Sequence, residues 1–151
     1  MTVYRISKTE ERAHDLSGTG AFKAGGRWNN VGVFALYTSE NQALAMLEIL
    51  VHVEESELPA NLYIATIEID DNAPVYNLPD SELPPDWRIP DNIQLKNTGD
   101  KILNEKKYLA FKAKSAVIPE EFNFILNPLH PDYSRYVRIV KLSLVDVDKR
   151  L

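Results

Sequence analysis

Three side chains within one short stretch could do chemistry together: Arg27, Tyr37 and Glu48, in the run GGRWNNVGVFALYTSENQALAMLEILVH from Gly25 to His52. Arg27 follows a Gly-Gly pair, where the backbone can turn sharply and aim the next side chain freely. Tyr37 closes the apolar run Val33-Phe34-Ala35-Leu36. Glu48 falls in a helical pattern whose neighbours at three and four positions are Leu44, Ala45, Val51 and His52, leaving only His52 as a local polar partner. A carboxylate in such company needs a cation, hydrogen bonds or an open cleft. Arg27 is a candidate cation. The same residues also fit a blander account, with the glycines in a hairpin turn, Trp28 a core aromatic, Tyr37 a strand end and Glu48 at the solvent line, since glutamates are seldom buried. Spacing alone does not separate the two.

The elements that must position these groups can be read from pattern. Val33 to Tyr37 is too apolar to alternate and reads as a strand buried on both faces. A helix is expected to open at Ser39 as cap, with Gln42 completing a capping box. From Ala43 to Val53 it is apolar on almost every side, the pattern of a buried helix. Thr2 to Ile6 reads as an opening strand with Val3 and Arg5 on one face, and an arginine there usually points to solvent. Ser7 to Gly20 is a polar loop with a helical turn around Glu10 to His14.

Beyond the acidic connection Glu54 to Pro59, Asn61 to Asp70 alternates as a strand. Five prolines between Pro74 and Pro90 mark Asp71 to Asn92 as an irregular covering segment, with short helical turns near Trp87. A helix is expected around Thr98 to Asn104, capped by Thr98 or Asp100, followed by Lys106 and Lys107 in a solvated patch and by Tyr108 to Lys112 leading to the sheet. Short strands are expected at Ala116 to Ile118 and Asn123 to Leu126, around a turn at Pro119-Glu120-Glu121. Asn127 to Pro131 cannot be regular, and Val137 to Val147 alternates as a closing strand. Without repeats, linkers or low-complexity tracts, residues 1–151 read as a single mixed α/β or α+β domain.

Composition sets limits. A chain of 151 residues with 44% hydrophobic content can bury a respectable core. Its 17 basic and 22 acidic residues give a net charge of −5, which argues against a uniform electrostatic grip on nucleic acid. The absence of cysteine removes disulfides, thiolate catalysis and cysteine zinc sites. No run approaches membrane-spanning length and no leader pattern opens the chain, so cytoplasmic residence is the expectation. There is no phosphate-binding GxxxxGK[ST] loop, no HExxH and no dinucleotide fingerprint. His14, His52 and His130 lack metal-ligand spacing, and Ser115 lacks the context of a nucleophile elbow.

The run from Asp15 to His52 resembles the conserved core of the RES-domain family, toxins of bacterial toxin–antitoxin pairs named for an arginine, a glutamate and a serine. Tyr4-Arg5-Ile6 resembles the family's opening strand, Ser115-Ala116-Val117-Ile118-Pro119 its serine segment, Asn127-Pro128-Leu129-His130-Pro131 its NP-x-HP loop, and Asp148-Lys149-Arg150-Leu151 its terminal signature. Two positions depart: Lys114 precedes the serine where proline is usual, and Lys101-Ile102 follows Gly99-Asp100 where tryptophan is common.

The resemblance implies an α+β fold of the ADP-ribosyltransferase type, a mixed β core with flanking helices. It implies an enzyme that takes NAD as substrate, with no resident cofactor or metal, and breaks its nicotinamide–ribose bond by hydrolysis or phosphorolysis, or passes ADP-ribose to a protein. Arg27, Glu48 and Ser115 are then the expected catalytic residues, and Arg5, Arg27, Tyr37 and Ser115 the expected NAD contacts. Ser115 is expected to hydrogen-bond the nicotinamide or phosphate side. Trp28 and Asn29 would shape the arginine turn, and His52 would either orient Glu48 or fill space. The implied partner is an antitoxin with an Xre-type helix-turn-helix domain; self-association is compatible, and neither direct nucleic-acid binding nor a membrane role is expected. A non-catalytic nucleotide-binding module with the same cleft is the remaining alternative.

Overall fold

The computed structural model describes residues 1–52 and 61–150. Seven strands form one sheet in the order β4-β5-β6-β2-β1-β3-β7. In chain order the elements are β1 (Thr2–Ser7), α1 (Glu10–His14), α2 (Thr19–Ala24), β2 (Leu36–Ser39), α3 (Gln42–Leu50), β3 (Asn61–Ile69), β4 (Val75–Asn77), α4 (Ile93–Glu105), β5 (Ala110–Lys114), β6 (Phe122–Leu126), α5 (Tyr133–Tyr136) and β7 (Val137–Asp146). Every pairing is antiparallel except β4 with β5, so the sheet is mixed and the class is α+β.

Alternation along the strands gives each sheet face its own core. On one face Val3, Leu36, Ala65, Ile67, Phe124 and Leu126 pack together with Tyr133 and Tyr136. On the other, Phe111, Ala113 and Ile125 meet Trp28 and the buried side of α4, Leu95 and Leu103. This second face carries Tyr37, which is paired with Ile125 across β2 and β6.

The opening strand, the helical turn at Glu10–His14, the long β3 and the closing β7 lie where alternation and turn residues put them. Five expectations are corrected. The strand expected at Val33 to Tyr37 lies at Leu36–Ser39, where pairing with β6 places it. The helix after β2 is capped by Asn41, not Ser39: the Asn41 side chain accepts from Leu44 N at 2.8 Å, while Ser39 stays extended in β2, held by pairing with Asn123 of β6. That helix is also less buried than its composition suggests, with only Leu44 and Ala45 buried and Leu47 and Val51 37% and 57% exposed.

The helix expected at Thr98 begins earlier, at Ile93, because Asn92 caps Gln94 N and Leu95 N. Ala116 to Ile118 is not a strand: the Ser115 hydroxyl accepts from Val117 N and Ile118 N, a local bond that competes with pairing and bends the backbone. Three elements were not foreseen: α2, the short β4 and α5. The acidic connection Glu54 to Pro59 lies outside the described residues.

Gly99 shows how closely α4 approaches the glycine loop. A Cβ there would run into the Trp28 carbonyl, a backbone group that cannot step aside. Gly99→Ala is expected to lower stability by about 3 kcal/mol or more, at or beyond the upper end of ordinary overpacking. That corresponds to a fall of roughly 6–12 °C in the melting temperature of a domain this size, measurable by calorimetry.

Candidate active site

The loop that carries Arg27 is a turn closed by paired backbone bonds, Gly26 N to Asn29 O at 3.0 Å and Asn29 N to Gly26 O at 3.4 Å. Arg27 and Trp28 occupy its tip and part ways. Trp28 is 2% exposed and sets its ring edge-on to Phe111, with centroids 5.6 Å apart. Arg27 is half-buried, and its Nη1 donates to Trp87 O at 3.0 Å.

The turn is tied down from several sides. The Tyr37 hydroxyl accepts from Trp28 N at 2.8 Å and donates to Asn29 Oδ1 at 2.7 Å. Asn29 Nδ2 donates to Ala21 O and Val33 O. From α4, Lys96 Nζ reaches Gly26 O, and Asp100 accepts from Asn30 N at 3.0 Å and Asn30 Nδ2 at 2.6 Å. Gly26 has to lack a side chain, since a Cβ would come within 2.6 Å of the Tyr37 hydroxyl and 2.9 Å of Asn29 Oδ1.

Glu48 faces this turn from α3. Ser115 Oγ donates to its Oε1 at 2.6 Å and Asn123 Nδ2 donates to the same oxygen at 2.8 Å. The other carboxylate oxygen takes no protein donor among the described residues. Arg27 and Glu48 line one cleft of about 410 Å³, within the usual range for small-ligand sites. Its floor is the row Tyr4–Ser39–Asn123, in register across β1, β2 and β6, so these side chains share a face. Its walls are Ala45, Glu48 and Ile49 of α3, His52 just beyond that helix, and the glycine loop, with Ala116 at the edge.

Of the residues picked from sequence, Arg27, Tyr37, Glu48 and Arg5 all line this cleft. Arg5 does not point to solvent as a short opening strand suggested: it is half-buried, and its Nη1 donates to Arg12 O at 2.6 Å and Asp15 O at 3.2 Å, the carbonyls at the end of α1. Ser115 stands behind the site. It is fully buried, accepts from two backbone N–H groups and donates its one proton to Glu48 Oε1. His52 is exposed at the lip; the partners that hold Glu48 are Ser115 and Asn123. His130 fixes its own loop, its Nδ1 accepting from Asp132 N at 3.0 Å.

The departures from the family pattern are absorbed locally. Lys114 pairs with Asp80 at 2.9 Å and Ile102 packs against the second core. Asn123 was missed by sequence reasoning. Its only sequence signal is its place on a strand, because its partner Glu48 lies 75 residues away.

Electrostatics follow from burial. Desolvation weakens Arg27's hold on its proton, opposed chiefly by the Glu48 carboxylate. Burial does the same to Arg5, with Asp15 opposing. The Tyr37 and Tyr133 phenols are pushed well above the usual tyrosine value, first by burial; in Tyr37 the Trp28 N–H bond and in Tyr133 the Arg5 charge pull the other way.

The family model for the RES domain matches residues 2–148. The chain belongs to the RES domain family. A protein named Toxin Res from Photorhabdus laumondii is 34% identical over all of this chain and 97% of its own length. A Prs ADP-ribosylating toxin from Sphingobium is 37% identical over 80% of this chain and 76% of its own. A Toxin Res from Pseudomonas putida is 32% identical over 87% of each. Among solved structures, a chain of the M. tuberculosis MbcT-MbcA toxin-antitoxin complex superposes with a TM-score of 0.70 at 21% identity, covering 97% of this chain and 83% of that one. At that identity the likeness speaks for a shared fold.

Tyr37 and Tyr133 make the fold sensitive to alkali. Each holds its proton more tightly folded than unfolded, so folding is indifferent to them below about pH 10 and weakens as pH rises above it, by up to about 1.4 kcal/mol per pH unit each. Urea midpoints are expected to fall between about pH 9 and about pH 11, and Tyr37→Phe or Tyr133→Phe to flatten that fall.

Proposed function

We propose that this RES-domain protein is the toxin of a toxin–antitoxin pair and that it cleaves the nicotinamide–ribose bond of NAD. The observation that carries the reading is the convergence of Arg27 and Glu48, from a loop and a separate helix, in one cleft with Tyr37. The names of the relatives from Photorhabdus, Sphingobium and Pseudomonas support the toxin role.

The chemistry suits a site with one placed carboxylate. When the ribose C1′–N bond breaks, its electron pair leaves on the pyridine nitrogen and nicotinamide departs neutral, so no acid is required to protonate it. Positive charge develops on the ribose, as in glycoside cleavage but without that reaction's carboxylate pair. Glu48, anchored through Oε1, presents its other oxygen to the ribose hydroxyls and the developing cation. A fixed anion in a partly dry cleft stabilises that charge without reorganising. Water then adds to C1′ and releases a proton, giving ADP-ribose; phosphate as acceptor gives ADP-ribose 1″-phosphate.

Arg27 clamps the pyrophosphate with a planar fork. The Tyr37 ring, fixed by its two hydroxyl bonds, packs against nicotinamide or ribose. Arg5 contributes positive charge from the rim. Ser115 acts through Glu48. NAD is the substrate, and the reading invokes no resident cofactor or metal.

Transfer of ADP-ribose to a protein is the second reading, favoured by the name of the Sphingobium relative. The inhibitory partner in this proposal is an antitoxin with an Xre-type helix-turn-helix domain that covers the cleft. The exposed apolar Leu47 on α3 and Val51 at its C-terminal end offer such a partner a surface beside the site. A homodimer is compatible with the same picture, and the protein itself contacts neither nucleic acid nor membrane. None of the described helices is long and apolar enough to cross a membrane. The proposed location is the cytoplasm, where NAD is at hand.

The test is nicotinamide release from NAD by the purified protein, with and without phosphate, followed by analysis of the ribose-containing product. Glu48→Gln is expected to reduce turnover at least about a hundredfold, the scale of losing one transition-state contact. Arg27→Ala is expected to raise KM about tenfold or more, the worth of a charged hydrogen bond. A folded wild-type protein that leaves NAD intact overturns the reading. Labelling of one protein in lysate before free ADP-ribose accumulates selects the transferase.

A further inference from the structure

We propose that Asn123 is a positioning residue for Glu48 and that Ser39 anchors its amide; the inference deepens the NAD-cleaving reading and its kinetic arm rests on it. The argument begins with which atom holds which proton. Ser115 Oγ receives Val117 N at 3.0 Å and Ile118 N at 3.1 Å, so its single proton is directed to Glu48 Oε1 at 2.6 Å. The Asn123 amide could in principle sit either way round. A carboxylate only accepts, so Nδ2 faces Glu48 Oε1 at 2.8 Å and Oδ1 receives Ser39 Oγ at 2.7 Å, which holds the amide in place. The reverse orientation would set one oxygen against another.

Two donors from different segments thus meet on a single carboxylate oxygen. With Oε1 held from both sides, rotation of the carboxylate is blocked and the opposite oxygen has one place to be. Ser39 and Asn123 are cross-strand partners in the register of β2 and β6, and both line the cleft. The orientation of the carboxylate is therefore set by the sheet, a rigid element, and not by a loop. Asn123 reaches Oε1 from the floor while Ser115 reaches it from behind, so the two supports are independent. Since correct placement can govern a reaction barrier strongly, loss of either support should appear in turnover before it appears in binding.

The experiment compares the full chain with Asn123→Ala, Asn123→Asp and Ser39→Ala. Asparagine and aspartate have nearly one shape, but aspartate has no N–H to give and turns an acceptor toward Oε1. The expected order of kcat is wild type, then Asn123→Ala about tenfold lower, then Asn123→Asp lower still, with KM for NAD changed by less than about twofold. Ser39→Ala is expected to fall between wild type and Asn123→Ala. A space-filling role gives the opposite order, with Asn123→Asp near wild type and Asn123→Ala worst, and that result overturns the proposal.

A second readout needs no turnover. In ¹⁵N-labelled protein the Asn123 side-chain amide resonance is expected to move on Glu48→Gln, while that of Asn127, whose Nδ2 donates to Leu103 O far from the cleft, stays in place. An unmoved Asn123 resonance overturns the inference. If wild type proves inert toward NAD, this measurement still decides whether Asn123 holds Glu48, so the two readings fail separately.

Discussion

A partly buried carboxylate is costly unless donors are brought to it. Helix α3 supplies none for Glu48 from its own turns, so the donors come from Ser115 and Asn123, 67 and 75 residues further on. That requirement joins distant parts of the chain. The start of α3 is fastened to β6 by a run of bonds: Glu40 N to Phe122 O, Phe122 N to Glu40 Oε1, and Asn41 Nδ2 to Glu121 Oε1. With the helix start fixed to the strand, Glu48, about two turns later, is delivered to the donors that the same strand and its preceding turn present. Serine at 115 does double duty, since the two backbone N–H groups it accepts also create the bend that carries Ala116 to the cleft edge.

The arginine side of the cleft is built on a different principle, close approach. Lys96, Gly99 and Asp100 present one face of α4 to the glycine loop, the lysine to Gly26 O, the aspartate to Asn30, and the glycine giving way to the Trp28 carbonyl. Spacings of three and four place these residues on adjacent turns of one helical face. The prolines between Pro74 and Pro90 contribute from outside: their segment lends Trp87 O to Arg27, and Arg88 donates through Nε and Nη2 to Ala116 O at 3.0 and 2.8 Å. One short strap therefore contacts both the arginine turn and the serine segment, which ties the irregular region to the site it borders.

Legibility in the sequence divides along the range of the forces. Strands with clean alternation, such as Asn61–Ile69 and Val137–Asp146, and the turn at Glu10–His14 could be read because local pattern decides them. The unusual environment of Glu48 could be read too, since an acidic residue in an apolar helix shows in one dimension. The cap of α3 could not: Ser39 and Asn41 are both good caps, and the choice between them is made by pairing of Ser39 with β6. The burial of α3 was overestimated because composition does not say that Leu47 and Val51 stay exposed among the described residues. The role expected of Ser115 came from the family pattern, while its bond to Glu48, 67 residues away in sequence, lies beyond the reach of local pattern. Asn123 carried no mark, because its importance exists only once β2, β6 and α3 are assembled.

Arg27 and Glu48 share a cleft, yet among the described residues no ion pair joins them. Had they met, each would have satisfied the other and little would be left for a ligand. Instead Glu48 is hydrogen-bonded by uncharged donors on one oxygen, and Arg27 by a backbone carbonyl on one nitrogen. Each therefore keeps unspent capacity, an oxygen in one case and several N–H groups in the other. Burial disfavours the charge on Arg27 while Glu48 favours it from across the cleft. An anion bound at the guanidinium would relieve that cost, and a cation forming near the carboxylate would be met by a charge already in place. A substrate carrying negative phosphates at one end and developing positive charge at the other is matched by that separation, and the rigidity of the two supports is what maintains it.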